Sequence, residues 1–483
     1  MKAKKVTMIL CGALMAMACF GGVASINVTA AENEITAETF AVKSTSIRYE
    51  APAGVRFKSS ISASEYEAML KVDSELEVGT LYMPTELLEG ELTIATNNVG
   101  KIIIPSEKIK VVKDAEDVVT NYELFAYVYD IPVEHYNTPI TAVSYIECAG
   151  EYYYSSALSK SLAYTAQQAY VKEGKEEALQ YIPNEQVNYT VEYYKQNLDG
   201  TYNKTADETE QLSGTINSEA TLDKSYDGFV AMEVEDDTLI WANGSTVIKQ
   251  YFAKEVKVVK YEGELYTPGE STVAYLNKGE KVQVTLSPHN AGQKRYENVN
   301  YMALEDTYDA GNNYIRFEFS GKNPIGGVYF GINNDFSNNL ASVAGYGLEL
   351  NVNTGGFRYI TKSNNVATGS AASAQNYSCL NYTYFNQNQD KDFVMIVGTK
   401  KTSDANRYRL YVWLYEKNGT ELTLLECVES SNITDAQLTP NGKIMVASTY
   451  ANGREACFTM WRPTTLENAQ AALERDYTIV SAE

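Results

Sequence analysis

Histidine is almost absent: His135 and His289 are the only two in 483 residues. A nucleophile–histidine site needs the base beside its nucleophile and a third group to orient it. These two lie in different proposed modules, and His289, within Ser287-Pro288-His289-Asn290, has the setting of a turn residue. Such catalysis is therefore not expected. Cysteine is scarce as well. Cys11 and Cys19 fall in the first 30 residues, and Cys148, Cys379, Cys427 and Cys457 are too dispersed for a disulfide framework and make no CxxC pair for a metal. One bridge among the last three is left open, with Cys148 free. Positive charge is in deficit: 40 Lys and Arg face 62 Asp and Glu, a net charge of −22. Phosphate backbones demand clustered cations, so nucleic acid is not expected as a partner; the acidity serves solubility.

Beyond the first 30 residues there is no long hydrophobic run. Met1-Lys2-Ala3-Lys4-Lys5 precedes an apolar stretch from Val6 to Val23 and small residues at Val28-Thr29-Ala30. That order predicts a signal peptide over 1–30 and a mature chain beginning near Ala31. A retained anchor or a lipid on Cys19 ranks below simple secretion. The expected location is extracellular or cell-surface.

The length suggests about three domains. Residues 32–184 mix strands and helices. Gly54 to Ile61 alternates as a half-buried strand, Ser62-Ala63-Ser64-Glu65 has capping-box spacing for a helix through Leu70, and Leu158, Leu162, Ala166 and Ala169 recur at helical spacing. Residues 187–253 open on Val187-Asn188-Tyr189-Thr190-Val191-Glu192-Tyr193-Tyr194, with Asp199-Gly200 as a hairpin turn. They are expected to fold alone, as a spacer. Residues 255–483 hold many short strand-like runs: Tyr314–Phe319, Gly327–Ile332, Leu348–Val352, Phe393–Val397, Tyr408–Tyr415, Leu422–Val428, Ile444–Ala447 and Phe458–Trp461. These predict a β-sandwich, with a polar loop over Ser363–Ser378. The patterning thus predicts a fold that is mostly β and multidomain, with an α+β module, a small β module and a carboxy-terminal β-sandwich; the resemblances given next imply that the small module is β-grasp-like and the sandwich a jelly roll.

Three resemblances run along the chain. Gly54-Val55-Arg56-Phe57, Gly79-Thr80-Leu81, Ile140-Thr141-Ala142 and Tyr152-Tyr153-Tyr154-Ser155 make residues 32–184 similar to an uncharacterised module of exported Gram-positive bacterial proteins. Tyr189-Thr190-Val191-Glu192-Tyr193-Tyr194, Asn197-Leu198-Asp199-Gly200-Thr201-Tyr202, Tyr226-Asp227-Gly228-Phe229 and Gly244 to Phe252 make 187–253 resemble the mucin-binding-protein-like (MucBP-type) repeat of surface adhesins, which implies a β-grasp fold. Gly326-Gly327-Val328-Tyr329-Phe330-Gly331, Gly347-Leu348-Glu349-Leu350 and Gly356-Phe357-Arg358-Tyr359 resemble the concanavalin A-like or laminin-G-like jelly roll in architecture.

No cofactor is expected. Asn333-Asn334-Asp335-Phe336-Ser337-Asn338-Asn339 offers oxygen ligands, but with a single charged residue it reads as a turn and not a calcium site. The most informative strand is Arg407 to Tyr415. Its even positions, Tyr408, Leu410, Val412 and Leu414, make a core face; its odd positions place Arg407, Arg409, Tyr411, Trp413 and Tyr415 on the other. A two-layer sandwich buries one face of each sheet, so an aromatic and basic stripe faces outward unless a loop or module covers it. Planar rings flanked by hydrogen-bond donors suit a sugar. The expected protein is a non-catalytic, lectin-like binder of a glycan or polysaccharide. The alternatives are a divergent glycoside hydrolase using two carboxylates in 255–483, for which no Glu-x-Asp-x-x-Glu run exists, and a structural adhesin segment that binds a protein.

Overall fold

In the strand Gly54–Ser62, Val55, Phe57, Ser59 and Ile61 are buried and every second residue between them is partly exposed. The computed structural model describes residues 39–264, 268–287, 298–308, 311–322, 328–335, 344–350, 355–360, 370–375, 377–404, 407–434, 442–448 and 455–480. The signal-peptide reading therefore lies outside the described residues. The fold is mostly β and divides into two units, one ending at Pro183 and the other beginning at Asn184.

The first unit contains two antiparallel sheets. One orders Phe40–Arg48, Gly54–Ser62, Val119–Tyr129 and Lys110–Lys113; the other is built on Glu77–Pro84 and Ile140–Cys148. Helix α1 (Ala63–Val72) starts where the capping box predicts: Ser62 Oγ accepts from the Glu65 amide at 3.3 Å and donates to Glu65 Oε2 at 2.7 Å. Helix α2 (Leu162–Glu173) buries Leu162, Ala163, Ala166 and Ala169 and ends at Gly174, whose φ of 67° suits glycine. Leu158 does not belong to it. That residue lies in the short strand Leu158–Lys160, because Ser161 caps the helix and the chain before the cap pairs with Ile140–Cys148.

The second unit begins with a four-stranded sheet in the order Glu208–Thr215, Gln186–Lys195, Val247–Lys254, Phe229–Ala231, whose two central strands run parallel. Tyr189, Val191 and Tyr193 are buried, as the alternation predicts. Asp199-Gly200 makes the expected turn, with Gly200 at φ 83°. This sheet is not free-standing. Arg462, in the chain that follows the strand Ala456–Trp461, is buried and donates to the carbonyl oxygens of Lys254, of Leu276 at 3.2 Å and of Asn197 at 3.3 Å. Leu198 packs against the core of the following sandwich. A guanidinium supplies five donors in a fixed fork, and here that fork ties the small sheet to the larger one.

Among the described residues the sandwich has two sheets of eight strands each. The back sheet orders Pro268–Leu276, Val256–Glu264, Asn298–Leu304, Lys443–Ser448, Val328–Asp335, Ala344–Leu350, Gly355–Ile360 and Ser370–Gln375. The front sheet orders Lys281–Leu286, Ala456–Trp461, Asn312–Ser320, Asp392–Lys401, Arg407–Asn418, Glu421–Glu429 and Thr478–Val480, with Ile433–Thr434 added beside Arg407. Phe317, Phe330, Phe393, Phe458, Val412 and Val446 meet between them. Each of the eight strand-like runs named from the sequence falls in a strand over its described residues; Gly327 and residues 351–352 lie outside them. The polar run Ser363–Ser378 was expected as a loop, but Ser370–Gln375 pairs with Gly355–Ile360 at the sheet edge. Backbone pairing needs no apolar side chains there. Among its described residues the unit also holds two helices, α3 (Tyr382–Gln387) and α4 (Leu466–Asp476). No described helix is long and apolar enough to cross a membrane.

Candidate functional site

The strand Arg407–Asn418 lies in the middle of the front sheet, between Asp392–Lys401 and Glu421–Glu429. Leu410, Val412 and Leu414 have no exposure and belong to the sandwich core. Burying each such side chain contributes about 1.5–3 kcal/mol, which fixes the strand's facing. The odd-numbered side chains consequently point to the outer face.

That face is not open along its whole length. Tyr415 is only 7% exposed, contrary to the expectation of a continuous stripe. It is covered by α4, whose Ala469 and Leu473 pack in one cluster with Tyr314, Val394, Ile396, Tyr415 and Leu422. A buried ring cannot meet a ligand, so Tyr415 is removed from the proposed binding residues. Beyond the helix a set of charges fastens its end: Arg316 donates to Asp476 at 2.7 Å and to Glu318, Lys417 donates to Glu318 at 3.0 Å, and the Tyr477 hydroxyl donates to the same carboxylate at 2.7 Å. Arg316 also stands 4.1 Å from the centroid of the Trp461 ring. Thr478–Val480 then adds a parallel strand beside Glu421–Glu429.

Four of the five predicted residues remain at least partly exposed: Arg407, Arg409, Tyr411 and Trp413. Tyr411 and Trp413, two positions apart, have ring centroids 5.6 Å apart and planes only 14° from parallel. Tyr314, on the next strand but one, reaches across Asp392–Lys401 to support Trp413 at 5.8 Å and 49°. The Tyr314 ring lies so close over Gly398 that a Cβ there would come within 2.1 Å of it; glycine is required for this packing. Arg409 is fixed by Glu429 at 2.6 Å and by Asn432 at 2.8 Å. Burial, and then its hydrogen bond with Glu429, raises the Tyr411 phenol above its ordinary value and keeps it a neutral donor. Arg407 is exposed, 3.7 Å from Asp404.

A shallow, open groove of about 370 Å³ adjoins this end of the strand, lined by Gly311, Asn312, Lys400, Lys401, Leu466, Glu467 and Gln470. Strand pairing sets Asn312, Lys400 and Arg409 in one row across the sheet and Tyr314, Gly398 and Tyr411 in the next. Tyr411 and Trp413 thus lie one and two rows from the groove along the sheet without lining it, and the first turn of α4 forms its wall. Sequence reading missed Asn312, Lys400, Lys401, Glu467 and Gln470, which come from three separate segments. One signal was present: Thr465 followed by Leu466, Ala469 and Leu473 has the cap and spacing of an amphipathic helix.

His135 is exposed on a short turn, and His289 lies outside the described residues. The Asn333–Asn339 run also falls outside them, except for the backbone of its first three residues. Among the described residues no group of three or more His, Cys, Asp or Glu is placed to hold a metal. Cys148, Cys379, Cys427 and Cys457 are all free thiols, so the bridge left open by the sequence is not formed.

No family model matches this chain, and no curated protein matches it by sequence. Among solved structures, the exoplasmic/lumenal domain of VIP36 in a Ca2+/Man3GlcNAc-bound form is similar at 9% identity, over 37% of this chain and 85% of that domain, with a TM-score of 0.24. A prokaryotic beta-1,3-1,4-glucanase (lichenase) derived from a mouse hindgut metagenome is similar at 10% identity, over 42% and 91% of the two chains, with a TM-score of 0.23. Likenesses this slight assign neither activity nor ligand.

Proposed function

We propose that this chain is an exported, non-catalytic carbohydrate-binding protein, holding a glycan on the outer face of the front sheet. The observation that carries the reading is the near-parallel pair Tyr411 and Trp413, partly exposed beside a polar groove. A sugar presents an apolar C–H face and a rim of hydroxyls. Two aligned rings offer the matching apolar surface, and Arg409, Glu429, Asn312 and Gln470 supply donors and acceptors around it, the few placed polar groups that orient a ligand. The basic leader and small-residue cleavage site support export.

The test is a glycan array probed with the full exported chain, followed by titration of the best hits. Retention of one glycan class, abolished by competing free sugar, supports the reading. Retention of no glycan contradicts it, and release of new reducing ends from a bound glycan would reassign the chain to glycoside hydrolysis.

A further inference from the structure

Between the strand Ala456–Trp461 and α4 runs the segment Arg462-Pro463-Thr464-Thr465, which lies outside the strand ladders. Its proline has no amide to donate, so its position is set by what it touches. On one side it meets the small sheet. Arg462, 6% exposed, donates to the carbonyl oxygens of Asn197 and Lys254, and the Asp199-Gly200 turn lies against Thr464, with a Cβ on Gly200 falling 3.4 Å from Thr464 Oγ1. On the other side it meets the residues that hold the aromatic pair. The Tyr314 amide donates to the Thr464 carbonyl at 2.8 Å, and the Thr464 amide to the Tyr314 carbonyl at 2.9 Å. Thr465 Oγ1 accepts from the Asn468 amide at 3.3 Å, which fixes the start of α4. Leu466, the first residue of that helix, shares one apolar cluster with Tyr314, Tyr411 and Trp413.

We infer that the small sheet is a structural part of the aromatic face, not a spacer beside it, and that Arg462 is the positioning residue of the pair Tyr411 and Trp413. The two rings are partly exposed, so their orientation depends on the side that is packed. Tyr314, 5.8 Å from Trp413, and Leu466 supply that side. Tyr314 is bonded to Thr464 and Leu466 follows the Thr465 cap, and close-packed contacts pass a displacement on instead of absorbing it. Arg462 holds this segment to the small sheet through a fork whose donors keep fixed directions. Rings held in place before a ligand arrives lose less freedom on binding. The consequence for affinity rests on the glycan-binding reading of this face; the coupling of the small sheet to the rings does not.

The experiment measures amide hydrogen exchange and glycan affinity in the full chain carrying Arg462→Gln, Arg462→Lys, Leu198→Ala or Tyr301→Ala. Arg462→Gln should speed exchange at the Tyr314, Leu466 and Asn468 amides about tenfold, along with the small sheet, while Asp392–Lys401 keeps its protection. Glycan affinity should fall about tenfold as well. Leu198→Ala, which loosens the small sheet where it packs on the sandwich core, should give the same pattern more weakly. Arg462→Lys, whose single ammonium reaches part of the carbonyl set, should recover part of both losses. Tyr301→Ala, destabilising but on the back sheet, should neither single out those amides nor weaken binding by folded molecules. Faster exchange in the small sheet with Tyr314, Leu466 and Asn468 protected as in the wild type overturns the inference, as does an Arg462→Lys variant that recovers nothing. If no glycan binds, the exchange pattern still decides the inference, and only the glycan reading falls.

Discussion

Tyr261 and Tyr301 stack on the back sheet with centroids 4.7 Å apart and planes 18° from parallel, much as Tyr411 and Trp413 stack on the front sheet at 5.6 Å and 14°. Both pairs sit on the side of the sheet away from the core: Tyr301 alternates with the core residues Met302 and Leu304, and Trp413 with Val412 and Leu414. The difference is burial of one ring of the back pair, since Tyr261 is partly exposed and Tyr301 is not. Tyr301 is 4% exposed and Tyr329, on the same sheet, has no exposure, and burial pushes the Tyr301 phenol far above its ordinary range. A stacked aromatic pair on an outer face is thus not in itself a site. Accessibility beside a groove distinguishes the front pair, and within the front strand the same contrast separates Tyr411 and Trp413 from the covered Tyr415.

Substitutions at these positions should separate stability from binding. Tyr301→Ala is expected to have the largest effect on stability, about 3 kcal/mol, near the lower end for truncating a buried aromatic. In a thermal melt it should lower Tm sharply, and the molecules that stay folded should bind ligand as before. A mild melt with lost binding would move the site to the back sheet. Tyr415→Ala should cost somewhat less, about 2–3 kcal/mol, because it empties one side of the α4 contact and leaves the sandwich core intact. Hydrogen exchange should show α4 losing protection before the strands do.

Acid should loosen the same helix. Burial opposes ionisation of Glu318, but hydrogen bonds from Arg316, Tyr477 and Lys417 outweigh it and hold the carboxyl below its usual range. Asp476 is lowered likewise, burial being outweighed by Arg475 and Arg316. For carboxyls depressed in the folded state, the stabilisation is complete above the unfolded value of about 4 and is lost as pH falls through the folded values. Protection of α4 should therefore decline below about pH 4, and Glu318→Gln should flatten that dependence. Protection that stays constant on acidification would show that the charges do not hold the helix. Arg409→Ala should have the smallest effect on stability, under about 1 kcal/mol for a partly exposed ion pair, with weaker glycan binding as its main consequence. Unchanged binding would remove Arg409 from the site.

Alternation was enough to place Leu410, Val412 and Leu414 in the core and their odd-numbered neighbours outside, because side chains in a strand have a period of two. The capping box at Ser62 and the turn at Asp199-Gly200 were equally legible, since both are local. What alternation cannot show is whether an outer face is later covered. Tyr415 is buried by a helix some 50 residues further along the chain, and Arg462 pins the sheet of residues 186–254 through carbonyls of Asn197 and Lys254. Both are contacts between segments distant in sequence. The groove was hidden for the same reason: Asn312, Lys400 and Gln470 become neighbours only after the strands pair and α4 folds back.

The most direct test of the account is Trp413→Ala, read by a thermal melt and a glycan titration on the same preparation. Because Trp413 packs on Tyr314 and Tyr411 but keeps part of its surface exposed, its loss should cost about 1–2 kcal/mol, well short of the roughly 3–5 kcal/mol of a fully buried tryptophan. The account predicts a modest fall in Tm with glycan affinity reduced at least about tenfold, the order expected when a stacking ring is removed. A collapse of the melt, or an intact fold that binds glycan as tightly as before, would contradict it.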